Sequence, residues 1–476
     1  MNQIQRIVKN ISVTGLAQVL TALMSFVLLI YLARFLGEAD FGKYSFAFSL
    51  TTLLATLTDL GVNQLLVREI ARNKDISEEY VNNAVMLKVP LAAMTFMVIV
   101  AVSWILNLKT DVMVLLYLFG FYNVLLTVSN TYISLFQAWE RMEYAAILQI
   151  IERVFTVALG LAVLILGYGV IAVACVYAAA GVLDVAISVA ITSRRFLRPS
   201  LSFNPSLQRK LLVMGLPFGL NSLFAMFFFK IDTVLLGIMK DDVAVGIYNA
   251  AYNPLLSLSM IISGMVSAAI YPVMSRYFTS DADSLETFTM VSCRYLSILG
   301  FPIAAGCLVL ADRFIELFYG GGYLGAILAF QILALFIPIR LVSTVTGTLL
   351  TSINRQGFRM LSVGLSAVLN IILNVILIPA YSYIGASAAT VISEVFLYLL
   401  FLFYIWRHYR GVNVSSTFTR PALASIVMAL AIYPLRDMSL IITVALASCV
   451  YFAVLAVIGG FREEDRMIIM NILGRD

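Results

Sequence analysis

Long apolar runs separated by short polar turns recur along the whole chain. Runs of spanning length lie at about 11–36, 42–66, 83–107, 112–138, 144–167, 170–192, 211–239, 244–271, 289–311, 324–352, 358–378, 384–406, 418–436 and 439–460. Because roughly 20 apolar residues in a helix cross the hydrocarbon of a bilayer, this pattern predicts fourteen transmembrane helices. Two boundaries rest on little punctuation. "GYGV" at 167–170 parts the fifth and sixth runs, and "RDMS" at 436–439 parts the last two, where a re-entrant hairpin is the alternative.

Composition strengthens the membrane reading. Hydrophobic residues make up 62% of the 476 residues, charged residues 12%, and mean hydropathy is +0.98, far from the roughly half apolar and quarter charged balance of soluble domains. The longest segments outside the runs are "SRRFLRPSLSFNPSLQRK" and "PVMSRYFTSDADSLETF". Neither is long enough to hold a second substrate, so an enzyme is not expected. The net charge of +5 reports topology and not a nucleic-acid partner, since cytoplasmic loops concentrate Lys and Arg. With the N-terminus inside, most of the 31 basic residues fall at the inner face, while Arg34, Lys43, Lys109, Lys240, Arg313 and Arg436 fall outside. The expected location is therefore the cytoplasmic membrane, with both termini cytoplasmic. The first apolar run is too long for a signal-peptide core and reads as the first membrane helix. Cys175, Cys293, Cys307 and Cys449 form no close-spaced pair, and His408 is the single histidine. No metal site, disulfide framework or cofactor is expected.

One repeat is visible. "RFLGEADFGKYSFA" at 34–47 parallels "VLLGIMKDDVAVGIYNAA" at 234–251: each closes a helix with Leu-Gly, passes a charged turn and resumes with Gly-x-Tyr. The offset of about 200 residues maps helices 1–6 onto 7–12. The expected fold is an all-α polytopic membrane protein with two pseudo-symmetric six-helix lobes and two further helices. Its parts would be an N-lobe over 1–193, a basic cytoplasmic linker over 194–210, a C-lobe over 211–410, and helices 13–14 with a cytoplasmic tail over 411–476. Duplicated bundles of this kind suit alternating access around a site between them.

Charges inside apolar runs are the candidate chemistry, because a charge at mid-bilayer costs at least about 2.5–3.5 kcal/mol and needs a partner or a wet cavity. Lys230 and Asp232 sit two residues apart in "FFFKIDTVLLG", roughly 200° around a helix, so they point to different sides. Lys230 is a candidate phosphate contact or a snorkelling lysine; Asp232 is a candidate ion-coupling group or a helix-fixing hydrogen-bond acceptor. Arg340 is read as either a salt-bridge partner or a second phosphate contact. Glu394, Asp184 and Asp59 are ion-relay or structural-pair candidates. Arg34 and Lys88 lie nearer the interfaces and read as anchors, Arg34 also being a phosphate candidate. Asn221, Asn249, Asn253, Asn370 and Asn374 are candidates for an aqueous sugar path or for inter-helix hydrogen bonds. Pro90, Pro217, Pro254, Pro302 and Pro338 interrupt the spans and are expected to bend them.

"LARFLGEADFGKYSFAFSLTTLLATLTDLGVNQLLVREIAR" at 32–72 resembles the opening of polysaccharide-export proteins, the oligosaccharide flippases of the O-antigen translocase type in the multidrug/oligosaccharidyl-lipid/polysaccharide exporter superfamily. "KIDTVLLG" followed by "VGIYNAAYNPLLSL" resembles the start of that family's second half. The resemblance implies movement of a polyprenyl- or dolichyl-(di)phosphate-linked oligosaccharide between leaflets by alternating access, with a proton or sodium gradient as drive. The implied partners are the lipid-linked oligosaccharide, membrane lipids and polysaccharide assembly enzymes. Helix 1 carries only Arg34 near one end, unlike the denser basic set of the lipid II flippases, which weakens a peptidoglycan precursor as substrate. A multidrug-and-toxin-type antiporter shares helix count and pseudo-symmetry and is the alternative.

Overall fold

The computed structural model describes residues 3–409 and 417–460; the expected C-terminal tail from 461 and the stretch 410–416 lie outside the described residues. Among the described residues the regular structure is helical. The elements are α1 (Gln3–Asp59), α2 (Val62–Arg72), α3 (Ser77–Ile105), α4 (Thr110–Ala138), α5 (Met142–Ile165), α6 (Gly169–Arg195), α7 (Pro205–Met239), α8 (Asp242–Ser280), α9 (Ala282–Val309), α10 (Ala311–Tyr319), α11 (Ala326–Ala334), α12 (Phe336–Ser352), α13 (Gln356–His408), α14 (Thr419–Ile432) and α15 (Leu440–Val457).

Fourteen spans emerge from these elements among the described residues. Eleven helical stretches are long and apolar enough to cross a membrane, and a shorter one covers Thr419–Leu435. Two of the eleven are double: α1 breaks at Gly37 (φ 73°) and α13 at Ser382 (φ 52°), each a backbone conformation that a continuous right-handed helix excludes. The two doubtful boundaries are real turns. Gly167 and Gly169 both adopt positive φ, ending α5 and opening α6, and a 3₁₀ turn over Tyr433–Leu435 separates α14 from α15.

The end of the second span differs from expectation. The helix stops at Asp59, Leu60 and Gly61 turn left-handed, and α2 begins at Val62. Within α2 the residues Val62, Leu65, Leu66 and Ile70 are buried, the three- and four-residue spacing of an amphipathic helix. Arg68 and Arg72 lie on its polar side and pair with Glu69. The proline at 338 also acts differently: it falls in the first turn of α12, where its missing N–H costs nothing, and the tenth span is divided at Leu335.

The chain forms two compact units, Met1–Ala250 with Val363–Ala386, and Ala251–Ser362 with Ser387–Asp476. In the first, α4 packs on α6, and α1 on α4, α5 and α7. A cluster of Tyr44, Phe48, Phe119, Tyr122 and Tyr177 rings at 5–6.5 Å spacings fills its centre, and α2 caps one end over Tyr80, Val81, Leu207 and Leu211. The segment before α7 is held by two neighbouring asparagines of α3. Asn82 bonds Ser200, and Asn83 accepts from the Asn204 amide at 2.7 Å. Asn204 then caps α7 through the Leu207 N–H, with Pro205 at the first helical position. In the second unit α14 packs on α15 and α9, around Met428, Ile432, Tyr451 and Leu455, and the Tyr451 hydroxyl donates to the Ile298 carbonyl at 2.8 Å. Asp281 caps α9; the Ser284 hydroxyl and the helix-end amides hold its carboxyl below the usual range.

The repeat seen in the sequence makes a reciprocal contact inside the first unit. A Cβ on Gly42 would lie 1.7 Å from the Asp242 carbonyl oxygen, and a Cβ on Gly246 would lie 2.0 Å from the Glu38 carbonyl oxygen. Each repeat thus lays the backbone four residues before its own Gly-x-Tyr glycine against the other repeat's glycine. Close approach of this kind is the use to which membrane helices put glycine. Ala in place of Gly42 or Gly246 is expected to destabilise the fold by about 1–3 kcal/mol through overpacking. Gly264→Ala, which meets nothing within 4 Å, is expected to be neutral or stabilising by up to about 1 kcal/mol. Denaturant unfolding of the purified protein checks the contrast.

Candidate functional site

Three sets of intramembrane polar residues are brought together, and each joins residues that the sequence suggested separately. The first joins α1 to α3. Lys88, expected as an interfacial anchor, is instead fully buried. Its ammonium lies 2.9 Å from Asp59 Oδ1 and donates to Asn63 Oδ1 and the Thr127 carbonyl, both at 2.8 Å. The physical reason is the break at Leu60–Gly61, which turns α2 back so that Asp59 and Asn63 face the lysine together. Three partners engage the three donors of an ammonium, so Asp59 is held in a buried ion pair with Lys88.

The second set surrounds Asp232 on α7. Its carboxylate is buried and accepts from the Tyr248 hydroxyl at 3.0 Å and from the Asn374 side-chain amide. Asn374 also reaches the Asn370 side-chain oxygen at 3.0 Å, and Thr233 donates to Asn249 Oδ1 at 3.2 Å. One buried network thereby unites Asp232 with Asn370 and Asn374, while Asn249 stands beside it. Asn221 is exposed on α7, and Asn253 belongs to the second unit. Lys230, as its 200° offset demands, points elsewhere. It is half-buried and has no hydrogen bond or ion pair among the described residues.

The third set lies in the second unit. Arg340 Nη1 stands 3.5 Å from Glu394 Oε2, and the Ser343 hydroxyl donates to Glu394 Oε1 at 2.7 Å. The arginine thus has a carboxylate partner at lipid depth. Arg34 is exposed three residues before the Gly37 break. The same unit holds an apolar cavity of about 630 Å³ among α9, α12, α13 and α14, lined by Phe301, Pro338, Ile339 and Phe418 among others.

Sequence reasoning missed one polar grouping. Asp184 of α6 lines a cavity with Tyr122 of α4 and Glu152 and Arg153 of α5. Glu152 accepts from the Tyr122 hydroxyl at 2.8 Å and Thr156 at 3.1 Å, with Arg153 Nε at 3.6 Å from its other oxygen. Arg153 counted only toward topology, and an adjacent Glu-Arg pair inside a span was the available signal.

Fourteen membrane spans, with carboxylates and cations held in pairs and networks at lipid depth, define a polytopic transporter fold. The chain belongs to the family described as polysaccharide biosynthesis protein, which matches residues 7–278, more than half of the chain. Among curated relatives it is similar to the "Probable low-salt glycan biosynthesis flippase Agl15" of Haloferax volcanii, at 26% identity over 383 residues, 79% of each chain. Its fold matches the lipid II flippase MurJ in an inward closed conformation with a TM-score of 0.77, covering 94% of this chain and 98% of that one at 13% identity. An inward-facing multidrug resistance MATE family transporter matches with a TM-score of 0.67, at 16% identity over 85% of this chain and 98% of that one. The expected fold class and family resemblance therefore both hold.

Asp59→Asn is expected to cost about 3–5 kcal/mol, because it strands the buried Lys88 charge. Lys88→Met combined with Asp59→Asn should recover most of the loss. A double-mutant cycle from denaturant unfolding measures the coupling.

Proposed function

We propose that the protein is a flippase. It moves a polyprenyl- or dolichyl-(di)phosphate-linked oligosaccharide from the inner to the outer leaflet by alternating access, for assembly of a cell-surface polysaccharide or glycan. It acts as a transporter and not as an enzyme, in the cytoplasmic membrane, with both termini cytoplasmic. The 1–193 and 211–410 lobes supply the two halves of the motion.

The observation that carries this reading, beside family membership and the flippase named among the relatives, is Lys230. A half-buried ammonium on a membrane span without a partner is costly unless an anion meets it during function, and a (di)phosphate is the anionic part of such a substrate. The apolar cavity of about 630 Å³ suits a prenyl chain. The Asp232 network supplies a buried carboxylate with the neutral donors Tyr248 and Asn374, an arrangement suited to a proton or sodium ion. Polysaccharide assembly enzymes are the natural partners for delivery and use of the substrate.

Leaflet-resolved translocation of a phosphoprenyl-linked oligosaccharide in proteoliposomes, with and without an imposed proton or sodium gradient, tests the reading. Gradient-stimulated flipping is expected from the wild type. Lys230→Ala should lower the rate about tenfold or more, the scale of one lost charge-assisted hydrogen bond, while Lys230→Arg retains most of it. Asp232→Asn should leave a residual rate that no longer responds to the gradient. Absence of flipping by folded wild-type protein for every such lipid would overturn the proposal.

A further inference from the structure

The cavity between α1, α4, α5 and α6 has a volume of about 240 Å³, and part of its polar wall has hydrogen-bonding capacity to spare. Its polar lining includes Tyr122, Asn130, Gln149, Glu152, Arg153 and Asp184. Glu152 is occupied by Tyr122 and Thr156, and Tyr122 by Glu152. Arg153 pairs loosely with Glu152, its Nε 3.6 Å from Oε2, and Asp184 stands beside the Ser129 hydroxyl. The side-chain amides of Asn130 and Gln149 have no hydrogen-bond partner among the described residues, and the Arg153 Nε–H is buried with no acceptor. Polar groups buried at lipid depth without partners are unfavourable by several kcal/mol each, which applies to the buried Arg153 Nε–H and the half-buried Gln149 amide. Their retention in one cavity indicates a polar ligand.

The inventory of these groups selects the ligand. Two amides each offer a donor and an acceptor, the guanidinium offers donors, and the buried Asp184 carboxylate offers acceptors. A hydroxyl both donates and accepts, so neighbouring hydroxyls on one ring satisfy such a mixture. A bare metal cation would need oxygen ligands alone and would face the Arg153 charge. A phosphate would face the Asp184 and Glu152 carboxylates. The volume lies just under the roughly 300–1,000 Å³ of drug-sized ligand sites, which suits a single sugar ring.

We propose that this cavity is a monosaccharide subsite, which takes one pyranose ring of the translocated glycan. Asp184 accepts hydrogen bonds from ring hydroxyls, Gln149 and Asn130 clamp neighbouring hydroxyls, and Arg153 donates to a ring or substituent oxygen. Asn130, exposed at the rim, is the first group that an arriving sugar meets. The inference rests on the flippase reading and adds to it a site for selection among sugars.

Saturation-transfer NMR on the purified full chain in nanodiscs, with a panel of methyl glycosides of glucose, galactose, N-acetylglucosamine and glucuronic acid, tests the subsite. At least one glycoside is expected to bind. Asn130→Ala, Gln149→Ala and the near-isosteric Asp184→Asn are each expected to weaken that binding about three- to tenfold, the scale of one lost hydrogen bond. Asn130 is exposed and carries no internal side-chain bond, so its variant reports on binding even where the other two fail to fold. Failure of every glycoside to bind overturns the proposal, as does binding unchanged in the folded variants. Sodium binding that Asp184→Asn abolishes, with no glycoside bound, overturns it too. Wild-type flipping with no glycoside binding would sink the subsite and leave the flippase reading standing. Glycoside binding without flipping would do the reverse.

Discussion

A bilayer interior offers no water to a charge, and this single constraint arranges the charged side chains within the spans. Lys88 meets Asp59, Arg340 meets Glu394, and Asp232 meets Tyr248 and Asn374. In each case the partners come from different helices, so the pairing that makes the charge tolerable also fixes how those helices pack. The Lys88 pair has all three ammonium donors engaged, whereas Arg340 meets Glu394 at 3.5 Å. The Asp232 network differs because Tyr248 and Asn374, which donate to the carboxylate, are neutral. Lys230 differs again, since no side chain among the described residues meets its charge, in contrast with the paired lysine at position 88.

Much of the architecture was legible because lipid enforces a coarse and regular code. Fourteen apolar runs became fourteen spans, and even the short turns at Gly167–Gly169 and Arg436–Ser439 divided helices as read. The opposite directions of Lys230 and Asp232 followed from helical geometry alone. What failed was local and had a common cause: hydropathy measures how apolar a segment is, and not where its backbone turns. The run continuing past Asp59 hid the left-handed turn at Leu60–Gly61. Once α2 folds back there, Lys88 moves from a presumed membrane edge into a buried pair.

Pairings across helices were the least legible feature. Helical spacing within one run places Asn370 and Asn374 together, as expected, but nothing in the sequence links them to Asp232, which lies far away in the chain. Glu152 and Arg153 were obscured for another reason. Arg153 satisfies the topology rule on its own, which masks its acidic neighbour, although two adjacent charges inside a span need a joint explanation. The cavity they share with Asp184, Gln149 and Asn130 depends on four helices and has no signature in any one of them.

The crossing at Gly42 and Gly246 couples the history of the two repeats. Each glycine makes room for a carbonyl contributed by the other half, so a side chain gained in one copy is penalised by backbone belonging to its twin. After duplication, the copies were therefore not free to diverge independently at this point: their surfaces are complementary parts of one joint. A hybrid assembled from the halves of two such proteins would inherit that requirement, and its compatibility would turn on two missing side chains more than on overall resemblance.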